Sequence, residues 1–345
     1  LSENGVMAFG FDLTPYIRKG KNRIEVRTDN SWDYREQATG STFQWNAKSF
    51  NANYGGLTRN VRLHIVGDVY QTLPLYSSLG TTGTYVYATQ YDIPGREATV
   101  SAATEVRNDG STPATVDYTV IVEEMDGSEL ARFSGGRHTL GPHSTRTLVA
   151  SQRLSGLHFW SWGYGYLYRV KTVVDTDTVA TTTGFRKTEF ARGMIMLNDR
   201  VMQVHGYAQR STNEWPGVGS AVPAWLSDYS NSLLVESGGN MVRWMHVTPW
   251  RQDVESCDRV GLPQALPAGD AEKTPSGRWW EQRMELMRDA IIYNRNSPSV
   301  MFYECGNRRI TAEQMALMKA LRNEYDPYGG RAIGSREMLD QPEAE

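Results

Sequence analysis

The chain is poor in cysteine: its 345 residues include only Cys257 and Cys305. They lie far apart, in apolar or helical surroundings and without metal-ligand spacing. That excludes a disulfide-stapled scaffold and a cysteine metal site, and both read as buried thiols. Also missing is any apolar run as long as the roughly 20 residues a membrane-spanning helix needs, so no membrane span is expected. The opening Leu1-Ser2-Glu3-Asn4-Gly5 has no signal-peptide pattern. Nor is there an excess of basic charge: Lys and Arg total 36 against 39 Asp and Glu, for a net charge of -3. Without a positive field, nucleic acid is not an expected partner.

Aromatic residues, in contrast, are plentiful, with 10 Trp and 18 Tyr. Such flat amphipathic faces fill cores and also stack on sugar rings. With 39% hydrophobic and 22% charged residues, the chain has the composition of a packed protein. Its length calls for two or three domains.

Residues 1–66 carry two short alternating stretches, Ile24–Arg27 and Val61–Ile65, too few for a self-standing sandwich; they read as the end of one that begins upstream. Residues 67–188 have strand signals at Thr84–Tyr91, Ala98–Val106, Thr115–Val122 and Leu167–Val174. Turn residues Asn108-Asp109-Gly110 and Asp126-Gly127 lie between them, the spacing of an immunoglobulin-like sandwich. Residues 189–345 change to strand followed by helix. The strands are read at Val201–Gly206, Met241–His246, Leu262–Leu266, Ser299–Cys305 and Arg331–Ser335. Helices are read at Val222–Glu236, Asp253–Val260 and Trp279–Asn294, with a last one opened by a Thr311/Gln314 capping box. Periodicity leaves both an open doubly wound sheet and part of a (β/α)8 barrel possible.

Several motifs resemble one family. Asn296-Ser297-Pro298-Ser299-Val300, running through an apolar strand to Gly306-Asn307-Arg308, is similar to the N-x-P-S-V … G-N-E strand of family 2 glycoside hydrolases, the β-galactosidases and β-glucuronidases. Asn240-Met241-Val242-Arg243-Trp244-Met245-His246 resembles that family's N-x-V-R-x-x-H. Cys257-Asp258-Arg259-Val260-Gly261-Leu262 resembles its C-D-x-x-G-L. Gly56-Leu57-Thr58-Arg59-Asn60-Val61 and Gly184-Phe185-Arg186 are similar to the sequences that close its sugar-binding sandwich and lead into its barrel. The resemblance implies a jelly-roll remnant in 1–66, an immunoglobulin-like sandwich in 67–188, and roughly the first five strands of a TIM barrel in 189–345.

One position departs from the pattern. Arg308 stands where the family has its general acid, and arginine does not donate a proton at ordinary pH. Glu304, at an even separation on the same strand, is the candidate substitute; the plainer reading is a buried carboxylate paired with an arginine. The resemblance assigns Asn307 to the sugar 2-hydroxyl. It makes Arg243 and His246 a substrate-facing pair, unless the arginine only ties strand ends together. Arg308 and Arg309 offer guanidiniums to a sulfate or uronate, against the alternative of a solvated loop. Trp215 and Glu214 lie in the loop expected after the first barrel strand, where Trp could stack on a sugar; Trp250 and His205 are weighed the same way.

The resemblance therefore implies a hydrolase of terminal β-glycosidic bonds, β-galactosidase-like and retaining, acting on an oligo- or polysaccharide that carries anionic groups. It is expected in the periplasm or outside the cell, with no cofactor. The nucleophile is expected beyond residue 345, which leaves these residues inactive by themselves. The competing reading is a non-catalytic carbohydrate-binding protein that lost its acid to Arg308.

Overall fold

In Glu97–Asn108 every second residue is apolar or small, and Ala98, Val100, Ala102, Thr104 and Val106 are all 0% exposed. Each fully buried valine of such a strand contributes roughly 1.5–3 kcal/mol relative to exposure. The computed structural model describes residues 7–28, 56–210, 217–218, 221–245, 247–268 and 276–338. Its first half is built from strands of this kind: Val69–Gln71 (β1), Thr84–Asp92 (β2), Glu97–Asn108 (β3), Ala114–Glu124 (β4), Glu129–Leu140 (β5), Ser144–Leu154 (β6), Tyr168–Val174 (β7) and Asp177–Thr183 (β8). They form two four-stranded sheets. β3 pairs with β1, β2 and β6 in one, and the other runs β5-β4-β7-β8, with every pairing antiparallel. Val100, Val106, Val120, Leu148, Tyr168 and Val170 belong to one core shared by both sheets. Tyr118 ties the sheets together, donating from its hydroxyl to the Ala102 carbonyl at 3.1 Å.

A three-stranded antiparallel unit follows: Thr188–Ala191 (β9), Met194–Leu197 (β10) and Arg200–Met202 (β11). Its two reversals, Arg192-Gly193 and Asn198-Asp199, have positive φ at both residues, the conformation of two-residue hairpin turns. This corrects the expected first strand at Val201–Gly206. Val201 pairs with Met196 in the hairpin, and the first parallel strand is Gly206–Gln209 (β12).

β12 opens a five-stranded parallel sheet continued by Met241–Trp244 (β13), Gln264–Pro267 (β14), Val300–Glu304 (β15) and Ala332–Gly334 (β16). The strands neighbour one another in chain order, without the reversal of a doubly wound sheet. Besides a short turn of helix at Tyr76–Leu79 (α1), the helices are Ala224–Glu236 (α2), Arg251–Val260 (α3), Arg278–Asn294 (α4) and Ala312–Tyr325 (α5). The Thr311/Gln314 capping box starts α5 as expected. Gly261 ends α3 at φ 73°. A β-carbon at Gly206 would lie 1.8 Å from the Met241 carbonyl oxygen, so only glycine allows β12 to begin against β13.

The motifs that carried the resemblance clasp one another. Asp258 accepts hydrogen bonds from the Ser299 amide and hydroxyl. The Asn296 side chain accepts from the Val86 amide at 2.8 Å and donates to the Thr84 carbonyl at 2.9 Å, joining the antiparallel sheets to the foot of the parallel one. The strands expected at Ile24–Arg27 and Val61–Ile65 are not formed. Both stretches lack a ladder partner among the described residues, and Ile24, Val26, Val61, Leu63 and Ile65 are exposed. Alternation makes a strand only where a neighbour completes its hydrogen bonds.

Candidate active site

The parallel strands all point the same way, so their carboxyl ends gather on one rim of the sheet. Alternation sorts the side chains that reach it. Val242 and Trp244 of β13 pack with Leu234 and Leu262, in the core on the helix side. Tyr303 of β15 likewise packs with Met287 and Met318. Arg243 and Glu304, in the intervening positions, meet on the opposite face. Arg243 Nε donates to Glu304 Oε2 at 2.6 Å, and Nη2 donates to Oε1. The same Nη2 donates to Asn307 Oδ1 at 3.1 Å. Because β14 lies between β13 and β15, the arginine spans the strand that separates it from its partners.

Asn307 Oδ1 also accepts a bond from Arg336 Nη1 at 2.9 Å. The loop that carries Asn307 is pinned by Ser335, whose hydroxyl bonds the carbonyls of Gly306 and Arg308 at 2.9 and 2.8 Å, and by the Arg336 amide on the Gly306 carbonyl. Arg336 is exposed, whereas Glu304 and Asn307 are buried. Burial raises the Glu304 carboxyl above its ordinary value; its bonds with Arg243, and more distantly Arg336, pull it back down. With two guanidiniums around one carboxylate, this cluster is positive among the described residues. That charge suits an anionic group on a ligand.

The sequence-derived candidates divide accordingly. Arg243, Glu304 and Asn307 come together. The bond of Arg243 to both Glu304 oxygens is the arginine-paired arrangement. Arg308 is exposed and forms a 2.9 Å ion pair with Glu337, an exposed neighbour that also accepts from the Arg309 amide. His246, Trp215 and Glu214 lie outside the described residues. His205 precedes β12 at the amino end of the sheet, away from the cluster, where its amide is held by Asn240. Trp250 does lie on the carboxyl side, before α3, and the Arg59 guanidinium sits 4.9 Å above its ring, covering one of its two faces. Cys257 and Cys305 are buried thiols, as expected.

Sequence reasoning missed Arg336 and Glu337. The available signal was their position two and three residues after the short Ala332–Gly334 strand, at the end where such sheets place their sites.

This cluster of guanidiniums, a carboxylate and an amide sits at the carboxyl rim of the parallel sheet, where such sheets place their sites. Residues 84–186 match the family model described as Glycosyl hydrolases family 2. The chain is 30% identical to a β-glucuronidase of Formosa agariphila over 97% of its own length and 34% of that protein. It is 27% identical to a β-galactosidase of Bacteroides ovatus over 88% of its length and 34% of that protein. A solved β-glucuronidase from glycoside hydrolase family 2 superposes with a TM-score of 0.86 at 27% identity, over 99% of this chain and 36% of that one. Residues 84–186 thus carry the glycoside hydrolase family 2 pattern, and nearly the whole chain is similar to a family 2 β-glucuronidase. The chain spans about a third of the length of the curated relatives it matches.

Proposed function

We propose that these residues form part of a β-glycosidase that removes terminal sugars from oligo- or polysaccharides by a retaining double displacement, with a β-uronide preferred to a β-galactoside. The observation that carries this reading is the Arg243–Glu304–Asn307–Arg336 cluster, which presents more cationic than anionic charge on the rim of the sheet. A relative in sequence and a neighbour in fold, each matching nearly the whole chain, are β-glucuronidases, which supports the uronide. The preference narrows the β-galactosidase-like expectation. We further read the consecutive parallel strands as part of a (β/α)8 barrel, with residues 189–345 as its beginning. The antiparallel sheets of 67–188 are read as the immunoglobulin-like domain, and 1–66 as jelly-roll sequence.

Each residue has a place in that chemistry. Asn307 would bond the 2-hydroxyl, a contact that strengthens as the ring approaches its oxocarbenium-like transition state. Arg243 fixes Asn307 and Glu304 together, so Glu304 acts as a positioning residue more readily than as the acid. Arg336, exposed beside Asn307, is placed to pair with the sugar carboxylate. Arg308 could add a second contact only by exchanging Glu337 for the substrate.

Turnover of nitrophenyl β-glucuronide and β-galactoside by the longest expressed chain containing these residues tests the proposal. The glucuronide is expected to have the higher kcat/KM. Arg336→Ala should lower that value about tenfold or more, through KM, while leaving the galactoside within about twofold. Equal effects on both sugars would remove Arg336 from uronate recognition. Sugar binding without turnover of either compound would favour the non-catalytic reading.

A further inference from the structure

Between the antiparallel sheets and the foot of the parallel sheet, at the end opposite Glu304, lies a small cleft of about 30 Å³. It is lined by Tyr91, Arg186, Arg295, Tyr328 and Arg331, among others. The three arginines are only 5–7% exposed. At its mouth the half-exposed Tyr328 stacks on Tyr87, ring centroids 4.4 Å apart.

The charges here do not cancel. Asp326 is taken by Arg331, with bonds of 3.0 and 2.7 Å, and by the hydroxyls of Tyr85 and Tyr303. Arg186 donates to the carbonyls of Pro298 and Val300 and to the Thr188 hydroxyl, and no carboxylate bonds it among the described residues. Arg295 donates to the carbonyls of Tyr325 and Thr82, and its buried Nε has no hydrogen-bond partner among the described residues. The other carboxylate within electrostatic reach of Arg295 is Glu105, whose oxygens accept from Thr72 and Thr82 instead. Among the described residues three guanidiniums thus face two carboxylates, which leaves one positive charge over on side chains that are almost entirely buried. Carbonyls and, for Arg295, the face of the Tyr85 ring at 4.8 Å answer part of that charge, and an anion would answer the rest.

We propose that this cleft binds one small monovalent inorganic anion of halide size, held between the guanidiniums of Arg186 and Arg295. One uncancelled charge calls for a monovalent ion, and the cleft supplies donors and aromatic edges that suit it. Burial, together with the neighbouring Arg331, pushes the Arg186 guanidinium down to about 9, and an anion beside it would reverse that shift. The ion would brace the joint between the antiparallel and parallel sheets, because Arg186 lies just after β8 and Arg295 just after α4. This site is distant from the sugar site, and the inference does not rest on the proposed activity.

Two measurements test it, both on the longest expressed chain containing these residues. In crystals soaked in bromide, an anomalous peak is expected within hydrogen-bond reach of Arg186 or Arg295. In solution, chloride titrated against methanesulfonate at constant ionic strength is expected to raise the melting temperature by a few degrees and then saturate. Arg295→Met should abolish both the peak and the saturable rise. If that variant does not fold, the bromide map of the unsubstituted protein decides alone. A cleft without bromide, or a melting temperature that follows ionic strength regardless of the anion, would overturn the proposal.

Discussion

Arg243→Met will lower kcat/KM on the best β-glycoside by roughly 10²- to 10³-fold, a loss of about 3–4 kcal/mol of transition-state stabilisation. The substitution keeps most of the side-chain volume, so the effect comes from lost bonds. Glu304 loses the guanidinium that contacts both its oxygens, and Asn307 loses a cationic partner. A buried carboxylate without its partner would take up a proton or turn away, and Asn307 would no longer be held where a 2-hydroxyl has to sit. Arg243→Lys should recover little, because one ammonium cannot reproduce the two-pronged contact.

Glu304→Gln, assayed alongside, separates the two roles open to this carboxyl. A proton donor matters for a poor leaving group and hardly at all for an acidic phenol, so loss of an acid would spare activated aryl glycosides. The arginine-paired geometry predicts that aryl and alkyl glycosides lose activity together. Selective loss of the alkyl substrates would restore Glu304 to the acid's role.

The second large effect concerns the joint between the sheets. Asp326→Ala will destabilise the protein by about 3–5 kcal/mol, read as a fall in the denaturation midpoint. It would leave the Arg331 guanidinium, itself fully enclosed, with no carboxylate, and the hydroxyls of Tyr85 and Tyr303 with no acceptor. Tyr85 belongs to β2 and Tyr303 to β15, so the loss falls where the antiparallel and parallel sheets meet. Asp326→Asn should cost less, since an amide oxygen can still accept from one tyrosine and from Arg331. A midpoint within about 0.5 kcal/mol of the parent for Asp326→Ala would show that the cluster does not hold the joint.

These two sites also explain what could be read from the sequence. The strand–helix alternation was legible because β13, β14 and β15 are buried on the helix side and their helices have one apolar face. The four antiparallel strands named in advance are those with dense apolar alternation, such as β3 and β4. β5, β6 and β8 were not named, because much of each is polar and solvent-facing; their neighbours decide their conformation. Ile24–Arg27 and Val61–Ile65 failed for the opposite reason, since their pattern suits a strand but no ladder receives it among the described residues. The family motifs stood out because they are structural clasps: Asp258 with Ser299, and Asn296 with β2. The site itself was only half visible. Glu304, Asn307 and Arg243 lie inside those motifs, but which would meet depended on Arg243 crossing β14. Arg336 comes from a segment with no recognisable pattern.

The most direct test of the account is the structure of the longest expressed chain containing these residues with glucuronate bound. The account predicts the sugar on the rim of the parallel sheet, its 2-hydroxyl on Asn307, its carboxylate on Arg336, and Arg243 still joined to Glu304. Glucuronate bound elsewhere, with the Arg243–Glu304–Asn307–Arg336 cluster untouched by it, would contradict the assignment of this cluster as the sugar site.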